Sequence, residues 1–102
     1  MSDPLIDIRF DGNVIEWRGP APYFFVTIPE DQVDEIRWGA REASYGWGCV
    51  PVEAELRGER FGTSLIPRDG GYLLPLKNAV RIPSGLVTGD RVSVRMQVKA
   101  RT

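Results

Sequence analysis

From Arg91 to Lys99 the chain alternates without a break. Val92, Val94, Met96 and Val98 fall on one side, and Arg91, Arg95 and Lys99 on the other. A two-residue period is that of an extended strand with one dry face and one wet face. Val50–Leu56 repeats the pattern, with Val50, Val52, Ala54 and Leu56 set against Pro51, Glu53 and Glu55. Near the start, Ile6, Ile8 and Phe10 alternate with Asp7, Arg9 and Asp11. Three half-buried strands in a chain of 102 residues have to share one core, because a chain this short does not build two.

The remaining segments add to the same architecture. Tyr23–Ile28 is aromatic and β-branched throughout and predicts a further strand. Phe61–Pro67 and Tyr72–Leu76 predict two more, joined by the tight turn at Asp69-Gly70-Gly71. Gly12 leaves two readings for the N-terminal region, a short hairpin or one long strand bulged at the glycine. The arms are short for an independent hairpin, which favours the long strand. Pro51 predicts an edge position or the beginning of its strand. Pro29 suits the opening of a helix, acidic residues crowd that helix's start, and Arg37 and Arg41 sit toward its end, an order that complements the helix dipole. Val33, Ile36 and Ala40 share a face of this amphipathic helix of about three turns. Lys77–Arg81 predicts a single further helical turn, ended by Pro83-Ser84-Gly85. The expected fold is mainly β, a small antiparallel barrel of about six strands with one amphipathic helix over an open end. It forms one domain over residues 1–102, with its core at about 6–98.

Composition narrows the chemistry. The chain has no histidine and one cysteine, so a Ser-His-Asp triad, an imidazole ligand, an internal disulfide and a Cys-rich zinc site are all ruled out. No cofactor motif, metal-ligand cluster or catalytic constellation is expected. Cys49 has no histidine to act as its base and reads as a buried structural cysteine. The N-terminus lacks the basic and apolar regions of a secretory signal. No apolar run approaches the ~20 residues of a membrane helix. Cytoplasmic location without membrane association is the expectation, for a monomer or weak homodimer.

Charge is uneven along the chain. Residues 1–56 hold four Lys/Arg and eleven Asp/Glu, and residues 57–102 hold nine and three. Either the basic half forms an anion-binding face, or the halves interleave in space and neutralise each other. Interleaving is favoured for a small barrel.

Three groups of residues are candidates for a site. Ser44, Tyr45 and Trp47 lie in a glycine-rich loop, where the aromatics would wall a pocket and Ser44 would hydrogen-bond a ligand; in the plainer reading Trp47 plugs the barrel end. Lys77 and Arg81 lie one helical turn apart, and with Arg68 they would bind phosphate or carboxylate; in the plainer reading they are a solvated basic edge. Arg91, Arg95 and Lys99 line the outer face of the last strand and would track phosphates if no acids stood beside them. Glu53 and Glu55 are expected to point to solvent rather than to flank a cleft.

Two long stretches carry a resemblance. One is Glu16-Trp17-Arg18-Gly19-Pro20 followed by Tyr23–Pro29, and the other is Ser64–Arg81, with Ser44-Tyr45-Gly46-Trp47-Gly48 between them. In this order they resemble the bacterial domain-of-unknown-function family 1905, over roughly Ile6 to Val98. The resemblance implies a double-split β-barrel in a small cytosolic protein and supplies no activity. Within it, Gly71–Arg81 and Gly85–Val94 are similar to the AbrB/MazE hairpin unit, whose members bind DNA as two-chain barrels. Here the first half of the chain would supply the other half of the barrel. The function expected first is a non-catalytic module binding a small anionic or aromatic ligand or a protein partner. An AbrB/MazE-like DNA-binding regulator is the alternative, and an enzyme of unknown activity comes third.

Overall fold

The computed structural model describes residues 6–17, 23–43 and 50–98. Six antiparallel strands run β1 (Ile6–Trp17), β2 (Tyr23–Thr27), β3 (Val50–Leu56), β4 (Glu59–Arg68), β5 (Gly71–Leu76) and β6 (Arg91–Val98). They close into a barrel in the order β1-β2-β5-β4-β3-β6. β1 is one long strand, as the short flanking arms required.

Two strands are shared between the halves of the barrel. β1 pairs with β6 from Ile6 to Asn13 and with β2 from Val14 to Trp17. β4 pairs with β3 from Glu59 to Leu65 and with β5 from Ile66 to Arg68. Each strand therefore changes partner midway. In β1 the change falls beside Gly12, where the Thr27 carbonyl packs so closely that an added Cβ would lie 2.1 Å from its oxygen. Thr27 holds the same spot through its hydroxyl, which accepts a hydrogen bond from the Asn13 amide at 3.0 Å.

The β3–β4 and β4–β5 connections are two-residue turns with both residues at positive φ, Arg57 and Gly58 in one, Asp69 and Gly70 in the other. This is the geometry whose twist matches that of the flanking strands. The first turn is tighter than its sequence suggests, so β4 begins at Glu59 rather than Phe61. Pro51 pairs with Ser64 of β4 but precedes the ladder to β6, which starts at Val52. It sits at the strand's beginning, where its missing N–H leaves no gap.

The inward residues of β1, β3 and β6 are those of the alternating pattern. Ile6, Ile8, Phe10 and Val14 meet Val52, Ala54, Leu56, Val92, Val94, Met96 and Val98 in one apolar core. Among the described residues no polar side chain is buried. Such a small barrel is filled by its own side chains.

Two helices close the structure. A short 3-10 turn (Glu30–Gln32) leads into α1 (Val33–Ala43), which buries Val33 and Ile36. Gly39 brings its backbone against Ile6 of β1, 2.5 Å from where a Cβ would stand. α2 (Asn78–Ser84) is longer than the one turn expected and contains Pro83. The Ser84 hydroxyl donates to the Val80 carbonyl at 2.7 Å, and Gly85 ends the helix in the left-handed conformation. Val80 and Leu86 join the core, and Arg57 of the β3–β4 turn donates to the Ser84 carbonyl. Among the described residues no helix is long and apolar enough to cross a membrane.

The two halves of the chain interleave in charge. Arg95 of β6 donates two hydrogen bonds to the carboxylate of Asp7 on β1, at 3.2 and 2.9 Å, and Gln97 adds a third at 3.1 Å. Ser93 donates to Asp11 on the same strand pair. The Arg95 hydrogen bonds, with help from Gln97, pull the Asp7 carboxyl from its usual 3.8 down to about 2.

Two outcomes follow from this frame. Gly12→Ala forces a methyl into the Thr27 carbonyl, a backbone atom that has no alternative rotamer. The expected loss is about 2 kcal/mol or more, in the range of overpacked sites, seen as a melting point lower by roughly 10 °C. A melting point within about 2 °C of the parent would show that the crossing point is not tightly packed. Asp7→Asn tests the β1–β6 network. Because the folded carboxyl has the lower pKa, its contribution is complete above the unfolded value and fades as pH falls toward the folded one. The melting point gap between parent and variant should therefore be constant at neutral pH, narrow below about pH 4 and close near pH 2. A gap unchanged down to pH 2 would contradict this account.

Candidate functional site

With the interior filled, any ligand has to bind outside the barrel. Two outer faces differ in kind. The outer face of β1, β6 and β3 is polar, carrying Asp7, Arg9, Asp11, Arg91, Ser93, Arg95, Glu53 and Glu55, all exposed. The acids whose absence a phosphate-tracking stripe requires are present here. Arg95 is bound to Asp7, and Glu55 faces it in register while lying 3.6 Å from Arg60. Arg91 stands opposite Asn13, and Lys99 lies outside the described residues. Glu53 and Glu55 point to solvent as expected.

The opposite face is apolar. In β2 and β5 the residues that alternate with the core are Tyr23, Phe25, Thr27, Leu73 and Pro75. The registers place Trp17 opposite Tyr23, Ile15 opposite Phe25, Phe25 opposite Pro75, and Leu73 opposite both Thr27 and Ile66. Trp17, Tyr23 and Ile66 are exposed, at 53%, 63% and 40%. Phe25 and Leu73 are buried, at 7% and 9%, although both lie outside the barrel core.

The two far corners of this sheet are in contact. The Arg68 guanidinium, at the end of β4, lies 4.9 Å from the centre of the Trp17 ring at the end of β1. A cation over an indole is favourable by ~0.5–1 kcal/mol at an exposed site. In strand order this clasp spans β5 and β2. Arg68 is further held by the Asp69 carboxylate at 3.5 Å.

Two grooves open on this side of the barrel, and Arg68 lines one of them. One, of about 580 Å³, is lined by Tyr23, Phe25, Ile66, Pro75, Lys77 and Asn78. Lys77 is the single charged residue on its walls. The other, of about 410 Å³, is lined by Ile15, Thr27 and Leu73 together with Arg68, Asp69 and Glu30. Beyond the first groove, Arg81 stacks its guanidinium 4.1 Å above the Phe24 ring and lies 3.4 Å from the Asn78 side chain. Its buried Nε finds no hydrogen-bond partner among the described residues.

The candidates from the sequence are thus divided. Lys77 and Arg81 flank one another across Asn78 and Phe24. Arg68, paired with Gly71 at the far end of β5, belongs to the clasp, so the three are not gathered around one anion. Ser44, Tyr45, Trp47 and Cys49 lie outside the described residues. Trp17, Tyr23, Phe25, Ile66 and Pro75 were not among the candidates. Their signal was the loss of alternation in Tyr23–Ile28 and Leu73–Leu76, since a strand apolar on both faces has two surfaces to bury. Among the described residues no group of three acidic or sulfur ligands is placed to hold a metal ion.

No curated protein matches this chain. The family model of the domain of unknown function DUF1905 matches residues 10–96, which takes in β2 to β5, both helices and most of β1 and β6, and the chain belongs to that family.

Proposed function

We propose that this protein is a non-catalytic binding module and that its ligand lies in the groove between Tyr23 and Lys77. The observation that carries this reading is the composition of the groove. Six apolar or aromatic residues line it, and the one charge on its walls is an ammonium. A ligand that fits has an apolar body and one negative group, a carboxylate in the simplest case. Its volume is in the range of small-molecule sites. Arg81, held over Phe24, adds a second positive charge near the same end.

Charge also argues against a nucleic-acid reading, because the best placed basic residue of β6, Arg95, is tied to Asp7 and faces Glu55.

The test is thermal melting with 3-phenylpropionate, octanoate, the matching neutral amides, inorganic phosphate and a DNA duplex at low salt. A carboxylate at ~100 times its dissociation constant stabilises by about 2.7 kcal/mol, a shift of roughly 10 °C here. The amides should bind about tenfold more weakly, the worth of one charge-assisted hydrogen bond. Lys77→Gln should erase that difference while leaving the unliganded melting point within about 2 °C, as at other exposed sites. A shift with the duplex alone, or a carboxylate shift indifferent to Lys77→Gln, would overturn the reading.

A further inference from the structure

Deepening the reading above, on which it rests, we propose that the natural occupant of this face is a segment of a partner polypeptide that crosses both grooves. That segment carries an acidic residue toward Lys77, apolar residues over the clasp, and a basic residue toward Glu30 and Asp69. Three observations lead to it.

The first is extent. Two grooves, of about 580 and 410 Å³, open beside the outer face of β2 and β5, one lined by Phe25 and Pro75 and the other by Thr27 and Leu73 with Glu30 and Val33 of the neighbouring helical segment. A compact small molecule fills one of them. A chain of several residues reaches from one to the other.

The second is composition. Trp17 stands opposite Tyr23 and beneath the Arg68 guanidinium, the two aromatics more than half exposed. Tryptophan, tyrosine and arginine are the residues that dominate binding energy where proteins meet. An exposed apolar patch rimmed by polar groups is the surface signature of such a contact.

The third is charge, which differs between the grooves. The walls of one hold Lys77 and no acid. The other holds Glu30 and Asp69 beside Arg68, whose guanidinium is already engaged by Trp17 and Asp69. Complementarity sets direction as well as affinity, so a bound segment has a preferred polarity across the face.

The experiment is selection of phage-displayed random dodecapeptides on the intact protein, with Trp17→Ala and Lys77→Glu as parallel baits. Both variants are first checked for a cooperative melt, and Tyr23→Ser serves as a third bait should either fail to fold. Enriched peptides should carry an acidic residue and a basic residue on opposite sides of two or more apolar residues. A synthetic winner should change the tryptophan fluorescence of the parent but not of Trp17→Ala, bind at least tenfold more weakly to Trp17→Ala or Tyr23→Ser, and lose its acidic preference on Lys77→Glu. Scrambling its charges with its apolar residues kept should cost a similar factor. No enrichment over the variants, or enrichment without the charge polarity, would overturn the proposal. If 3-phenylpropionate binds at Lys77 while no peptide is enriched, the groove is a small-molecule site and only this inference falls. If neither binds, both readings fall. Mass that rises with protein concentration and is abolished by Tyr23→Ser would assign the face to a second copy instead, also overturning it.

Discussion

β1 belongs to both halves of the barrel, and it can do so only where its backbone passes close under another strand. At Gly12 the Thr27 carbonyl occupies the space of a side chain. On one side of that point β1 pairs with β6, and on the other with β2. The second shared strand, β4, makes the equivalent change between Leu65 and Ile66. These two crossings close six strands into a barrel. Each shared strand is paired on one side only along each half of its length. The outer surface of β2 and β5, with the ends of β1 and β4, is where the topology leaves Trp17, Tyr23 and Ile66 exposed.

The elements that were legible in the sequence are those where a single face is buried. In β1, β3 and β6 the alternation of Val, Ile and Met with charged residues states both the strand and its inward side, and the registers follow it. The turns at Gly58 and Gly70 were legible because positive φ leaves few choices of residue. The length of α2 was not, because Pro83 reads as a stop, whereas the Ser84 hydroxyl and the Gly85 cap supply the hydrogen bonds of the last turn. Lys77 stood out in the sequence from its place after a strand, and it lies on the wall of a groove. Its companions Tyr23, Ile66 and Pro75 did not stand out, because an apolar residue in a strand is read as core unless its parity is followed through every paired neighbour. Arg68 was singled out for its charge, yet its contact with Trp17 depends on the order of four strands, which no local pattern contains.

The charge split of the chain has a similar origin. An acidic first half and a basic second half suggested either a binding face or mutual neutralisation. The topology decides it, since β6 is inserted between β1 and β3 and this places Arg95 against Asp7 and Glu55. The cations left on the apolar side, Arg68, Lys77 and Arg81, come from the strand and helix that the topology carries away from those acids.

That separation has an energetic consequence. Arg68 and Arg81 both spend their guanidinium faces on rings, Trp17 and Phe24. Arg68 is also held by the Asp69 carboxylate at 3.5 Å, and the Arg81 guanidinium lies 3.4 Å from the Asn78 side chain. Burial of exposed rings such as Trp17 and Tyr23 is favourable where proteins meet. In the binding reading proposed above, a ring and a cation already held together leave less conformational freedom for a ligand to remove.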